Sequence, residues 1–190
     1  MKKKKFDMTY MNITFENLRE IARKQYNDSN CRYGNNEYIY HIDMVVDFLT
    51  KYIAVFKNLK DAENTLIAAL YHDSIEDAKE TYTNICDIAG KEVADITLGV
   101  TDVPAKNRLM KHLLTMGKTV QDHRAIILKM ADIYSNTKFS KESGNSMYGK
   151  YVEEYQYRKA IFQKALIWYK NDLNQDELAK IWKELDEINK

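Results

Sequence analysis

At 190 residues, 45% of them hydrophobic and 30% charged, the chain is long enough for one packed core and too short for two comfortable domains. A formal net charge of +1 supplies no field for nucleic acid or an anionic membrane, so neither is expected as a partner. No apolar run is long enough to cross a bilayer, no apolar stretch follows the basic MKKKK start, and Cys31 and Cys86 form no CxxC, so a reducing cytoplasm fits.

Residues 1–13 are expected to be a frayed terminus of a single domain spanning 1–190. Thr14 to about Tyr26 carries Phe15, Leu18, Ile21 and Ala22 on one side, an amphipathic helix. The Asn-rich stretch 27–36 predicts a loop. A second helix is expected from Tyr40 to about Phe56. A third, from Ala62 to about Asp73, is apolar on most sides and should be central. Thr81 is a candidate cap for a short helix that Gly90 stops. Another helix follows through Val93, Ile96 and Val100. Pro104 suits the first turn of a helix through Leu109, Leu113 and Met116, ending at Gly117. Asp122 opens a helix through Ile126, Met130 and Ile133. Residues 140–148 predict a polar loop, and two helices follow at about 149–169 and 175–188. With a single proline and few strand signals, the expectation is an all-α bundle of about eight to ten helices.

Four residues have the right chemistry for one metal: His41, His72, Asp73 and Asp132. His72 and Asp73 end the most apolar helix, His41 opens the helix before it, and Asp132 lies on a later one. Imidazole with carboxylates suits Mn²⁺, Fe²⁺ or Zn²⁺. Without thiolates a structural zinc site is disfavoured, and four protein ligands leave positions open on an octahedral ion, a catalytic arrangement. Glu76 and Asp77 lie four positions after His72 and Asp73, so a continuing helix would carry them on the same face. Carboxylates there suit an acid/base role. Asn136, four after Asp132, shares its face.

These motifs carry a specific resemblance. The stretch LIAALYHDSIEDAKETYTNICDIAGKEVADITLGVTD resembles the hydrolase segment of the RelA/SpoT family, an HD-superfamily group. EYIYHIDMVVDFL is similar to that family's approach to its first metal histidine, and ILKMADIYSN to the segment carrying its last metal aspartate. The resemblance runs from about Arg32 to Tyr155. It implies an HD-type helical bundle and Mn²⁺-dependent removal of the 3′-pyrophosphate from ppGpp and pppGpp. It implies His41, His72, Asp73 and Asp132 as ligands of one Mn²⁺ per chain, other divalent ions being admissible, and Glu76 and Asp77 as the catalytic pair. It places Asn136 where the family contacts the nucleotide and Arg32 where an arginine packs on the base.

The chain departs from the pattern at Tyr33, where the family has a lysine, at Glu37 and Ile42, where it has prolines, and at Ile133–Ser135. These positions adjoin the substrate pocket. Hydrolysis of another nucleotide (a deoxynucleotide, an adenine alarmone or NADPH) and nucleotide sensing without turnover therefore stay open beside the alarmone reading. Lys106, Arg108 and Lys111 are candidate phosphate cations, with Lys138 and Lys150 further off. Tyr151 is a candidate wall for the base, as are Tyr148 and Tyr155. His112 and His123 show no partner pattern. A small-molecule nucleotide is the expected partner, and self-association is left open.

Overall fold

The computed structural model describes residues 8–190, with side chains from Thr14 onward. Helix α1 spans Met8–Asp28, a tight hairpin pairs β1 (Arg32–Tyr33) with β2 (Asn36–Glu37), and α2 follows at Ile39–Lys51. A 3-10 turn at Ile53–Val55 leads to α3 (Leu59–Tyr71), the single-turn α4 (Ser74–Asp77), α5 (Tyr82–Ala89) and α6 (Lys91–Val100). Then come α7 (Arg108–Thr119), α8 (His123–Glu142), α9 (Met147–Leu166) and α10 (Gln175–Ile188). The architecture is all-α, as expected, apart from the two-residue strands of the hairpin. No helix among the described residues is long and apolar enough to cross a membrane.

Local side-chain chemistry sets many boundaries. Thr81 accepts from the Asn84 amide and starts α5, and Gly90, at φ 93°, stops it in a conformation L side chains avoid. Asn58, Asp122 and Asn174 cap α3, α8 and α10 in the same way. The α10 boundaries coincide with those expected. Other boundaries differ: α2 stops at Lys51 rather than about Phe56, α3 starts at Leu59 rather than Ala62, α7 runs past Gly117 to Thr119, and α9 spans Met147–Leu166 rather than about 149–169. α1 starts at Met8 rather than Thr14, while the frayed-terminus expectation for residues 1–7 lies outside the described residues. The Asn-rich segment is not all loop but contains the hairpin. α8 runs on to Glu142, which shortens the polar loop to residues 143–146. Pro104 does not open α7. Asn107 does, accepting from the Met110 amide, because a helix start gains more from a side-chain acceptor than from a fixed φ, and proline biases the preceding Val103 away from the helix.

The core is built on α8. Ala125 through Leu128 and Met130 through Ile133 are all buried, so this helix is covered on nearly every side. α2, α3, α6 and α9 all pack against it, and α3, expected to be central, shares the middle through buried Ala68, Ala69 and Leu70. α3 does not continue to Glu76 and Asp77. It ends at Tyr71, His72 caps it, and Asp73 starts the separate turn α4. The Ser74 hydroxyl donates to the Tyr71 carbonyl at 2.7 Å and stabilises this break. The hairpin lies on α8 because Gly34, at φ 58°, lets the backbone approach the Phe139 ring so closely that a Cβ would sit 2.9 Å from Cζ. That approach brings Tyr33 over His41.

Candidate active site

Three elements deliver four donor atoms to one point. His41 is in the first turn of α2, His72 and Asp73 form the α3–α4 junction, and Asp132 is on α8. One donor atom from each lies within 4.8 Å of all the others. His41 Nε2 is 3.2 Å from His72 Nε2, 3.4 Å from Asp73 Oδ2 and 3.3 Å from Asp132 Oδ1. His72 Nε2 is 3.0 Å from Asp73 Oδ2 and 3.7 Å from Asp132 Oδ1. Metal–ligand bonds of about 2.1 Å at right angles separate neighbouring donors by about 3.0 Å, so the spacing fits the edges of one coordination sphere. The tautomer fits too. His72 Nδ1 lies 2.9 Å from the Ala69 carbonyl, which only accepts, so the proton is on Nδ1 and the Nε2 lone pair points inward. Both histidines are 1% exposed, and converging electron-pair donors at this depth call for a cation between them.

Asp73 and Asp132 line a cleft of about 180 Å³, while His41 and His72 are buried and not among its lining residues. Glu76 and Asp77 line it, brought there by α4. Although Glu76 as a whole residue is exposed at the rim, its carboxylate faces the cleft. Burial, offset in part by the Asp102 amide donating to Oε1 at 2.6 Å and reinforced by the Asp73 charge, pushes this carboxyl up to about 7. Burial also raises Asp77, and the Tyr38 hydroxyl, 2.8 Å away, partly opposes that rise. The same hydroxyl is 2.7 Å from Asp73 Oδ2, so Tyr38 joins a proposed ligand to a proposed catalytic acid. Lys129, one turn before Asp132, places Nζ 3.1 Å from Asp132 Oδ2. Burial alone would lower the Lys129 pKa, but the surrounding carboxylates of Asp132, Asp73, Asp102 and Glu76 hold it raised, and the side chain stays charged.

The remaining sequence candidates divide. Arg108, Lys111, Asn136 and Tyr151 line the cleft. Arg32 and Lys106 do not: Arg32 is exposed on β1 opposite Glu37, and Lys106 is exposed in the loop before α7. Lys138 sits over the Tyr134 ring, Lys150 is exposed, and Tyr155 is buried with its hydroxyl donating to Asp186. Tyr148 donates to the Ile188 carbonyl. Tyr33 stacks on His41 at 4.6 Å between ring centres, packs against Phe139, and donates to Asn136 Oδ1 at 2.9 Å. Asn136 Nδ2 in turn donates to Asp132 Oδ1 at 2.5 Å, so both ends of this amide are engaged. Sequence reasoning missed Tyr38, Lys129, Asp102, Arg158 and His112 as cleft residues. Lys129 had a signal, a lone cation in the run AIILKMA one turn from Asp132. His112, which shows no partner pattern in the sequence, meets Tyr157 and Arg158 of α9, and His123 lies 3.3 Å from Asp61.

This combination of a helical bundle with a paired His-Asp and an outlying His and Asp is what defines an HD domain. The HD domain family matches residues 19–156, and the chain belongs to that family. Among characterised relatives, it is 36% identical over 78 residues to a guanosine-3′,5′-bis(diphosphate) 3′-pyrophosphohydrolase of Aquifex aeolicus, taking in 39% of this chain and 11% of that one. It is 39% identical over 84 residues to the same-named protein of Spiroplasma citri, again 39% and 11% of the two chains. It is 35% identical over 89 residues to the bifunctional (p)ppGpp synthase/hydrolase SpoT of Escherichia coli K12, covering 41% and 12%. The chain thus spans about a tenth of the length of these relatives. A solved structure of a metazoan SpoT ortholog, described as hydrolyzing ppGpp, superposes with a TM-score of 0.66 over 92% of this chain and 93% of its own, at 20% identity, a shared fold.

Proposed function

We propose that this chain is a Mn²⁺-dependent phosphohydrolase that removes the 3′-pyrophosphate from ppGpp and pppGpp. The observation that carries the reading is the convergence of His41, His72, Asp73 and Asp132 within 4.8 Å beside the cleft carboxylates of Glu76 and Asp77. Those four residues would hold one ion. When bound, a divalent ion there polarises a phosphoryl oxygen and makes water more acidic.

The chain's own groups do the rest. Glu76, with Oε1 held by the Asp102 amide, takes a proton from the attacking water at its other oxygen. The water oxygen bonds to phosphorus, the bond from phosphorus to the ribose 3′ oxygen breaks, and that oxygen collects a proton. Asp77, raised by burial and held by Tyr38, is the group placed to supply it. Lys129 offsets the carboxylate charge that would otherwise repel the substrate, and Arg108 and Lys111 face the phosphates. Free thiols at Cys31 and Cys86 suit the reducing cytoplasm as its place of action.

One observation favours a second reading, the same chemistry on another nucleotide. Tyr33 fills the space beside Asn136 and His41 where the family resemblance puts a lysine, and Arg32 does not line the cleft. A panel of ppGpp, pppGpp, adenine analogues and NADPH with added Mn²⁺ and product analysis separates the two. Pyrophosphate release from ppGpp is expected. Turnover of a different member alone selects the second reading, and no turnover of any overturns both.

A further inference from the structure

Helix α7 is built inside out. A surface helix normally turns its apolar stripe to the core. The buried side chains of α7 are His112, Thr115, Met116 and Thr119, of which only Met116 is apolar. Leu109, Met110, Leu113 and Leu114 face solvent instead, each 43–55% exposed. At 3.6 residues per turn these four and Gly117 form one stripe about 140° wide. Hydrogen bonds on the inner side hold this orientation. Thr119 donates to the Gly99 carbonyl at 2.8 Å, Thr115 accepts from the Val103 amide at 2.9 Å, and His112 Nδ1 lies 2.8 Å from the Tyr157 hydroxyl. Turning the stripe inward would break all three. Scattered exposed leucines are ordinary, but a contiguous stripe marks a surface that something covers.

The stripe itself says what suits it. A Cβ on Gly117 would meet nothing within 4 Å, so no neighbour in this protomer requires a glycine there, although glycine weakens a helix interior. A helix packed closely from outside does require it. The charges of α7 lie off the stripe and are engaged, Arg108 with Glu154, Lys111 with Asp102, and Lys118 with the Thr101 carbonyl. Two such faces meet without like-charge repulsion, whereas an acidic or basic partner finds nothing on the stripe to pair with. The stripe is also self-complementary. Two copies of α7 packed antiparallel about a point between Leu113 and Leu114 set these leucines against each other and Met110 against Gly117, a long side chain facing a gap. The same pairing brings Leu109 of the second copy to a groove at the end of α7 lined by Val120, Ile161 and Trp168. Trp168, 84% exposed, offers roughly 200 Å² and each half-exposed aliphatic side chain roughly 100 Å², most of the ~800 Å² that a standard interface takes from each partner.

We propose that the outer face of α7 is the contact of a twofold homodimer, with α7 packed antiparallel on the same helix of a second copy. The inner face of this helix lines the cleft through Arg108, Lys111 and His112, so the second copy packs behind a wall of the candidate active site. The proposal does not depend on which nucleotide the cleft takes.

The test is sedimentation velocity of the full chain from about 1 to about 100 µM, a range that covers the weak end of standard interfaces. Wild type is expected to pass to twice the monomer mass. Leu113→Glu should weaken dimerisation about tenfold or more, with helix content by circular dichroism unchanged because the side chain faces solvent. Gly117→Leu is the sharper variant. In a lone protomer the new side chain meets open space and favours the helix, so the monomer should be no less stable, yet it fills the gap that Met110 needs and should weaken the dimer about tenfold or more. A dimer that either variant leaves unchanged overturns the proposal. A wild type that stays monomeric at the highest concentration also overturns it, and co-flotation of that monomer with phosphatidylglycerol vesicles would assign the stripe to a lipid surface instead.

Discussion

Tyr38→Phe removes one hydroxyl and leaves the ring in place. The ring is fixed by stacking on Tyr26 at 4.7 Å and by its edge contact with His41 at 5.7 Å, so phenylalanine fits the same slot. The lost hydroxyl lies 2.7 Å from Asp73 Oδ2 and 2.8 Å from Asp77 Oδ2. It carries a single proton, which the two carboxylates share. A hydrogen bond to a charged group contributes about 1.5–3 kcal/mol. Both carboxylates line the cleft, where water replaces the missing donor, so the lower end applies to stability, and Tm should fall by roughly 3–6 °C. Water does not hold Asp77 in position. If the full range is felt in the transition state, kcat falls roughly 10- to 150-fold with KM little changed. The assay is initial rates on saturating ppGpp with added Mn²⁺, alongside a thermal melt and metal content by mass spectrometry. A kcat within twofold of wild type at equal metal content would refute the reasoning. A fall in metal content with kcat per bound ion retained would instead place the role of Tyr38 on Asp73 alone.

Glu76→Gln should lower kcat about 10²-fold, the scale of a lost acid/base group, with metal content unchanged. Because burial raises the Glu76 carboxyl to about 7, its base form predominates only above that pH; wild-type kcat should therefore rise with pH through about 7, and the variant should lose that limb. His72→Ala combined with Asp73→Ala should abolish both stoichiometric metal and turnover, and metal content unchanged from wild type would sink the ligand assignment. Arg32→Ala should leave KM for ppGpp within about twofold, since Arg32 does not line the cleft, whereas a large rise would show that the hairpin swings inward onto the base.

The parts of this molecule that were legible in the sequence are those decided locally. Thr81, Asp122 and the α10 boundaries follow from caps and apolar spacing within a few residues. The four proposed ligands, which the structure brings together, were legible as a set rather than singly, because His41, His72-Asp73 and Asp132 follow in a recognisable order on separate helices. The break at His72 was not legible, because it depends on a Ser74 hydroxyl turning back to Tyr71 rather than on a proline or glycine. The cleft wall carried by α7 and α9 was less legible still. Arg108 meets Glu154 across 46 residues of chain, and His112 meets Tyr157 across 45, so no window along the sequence holds both partners. Arg158 in isolation has the spacing of an ordinary polar helix residue.

The hairpin shows how one departure from a family pattern propagates. α8 presents Lys129, Asp132 and Asn136 one turn apart, so charge compensation, a proposed metal ligand and a polar amide share a face. Asn136 is free to meet a substrate only if nothing nearer satisfies it. Tyr33 does satisfy it, at 2.9 Å, and Gly34 fixes Tyr33 there by letting the hairpin press onto Phe139. A lysine at 33 would instead bring an ammonium beside His41, where it would oppose a bound cation unless a phosphate lay between them. A tyrosine carries no such condition, so the hairpin here buttresses His41 whether or not a substrate is present. On the proposed reading, phosphate recognition falls to the other cations that line the cleft, Lys129 on α8 and Arg108, Lys111 and Arg158 on the opposite wall.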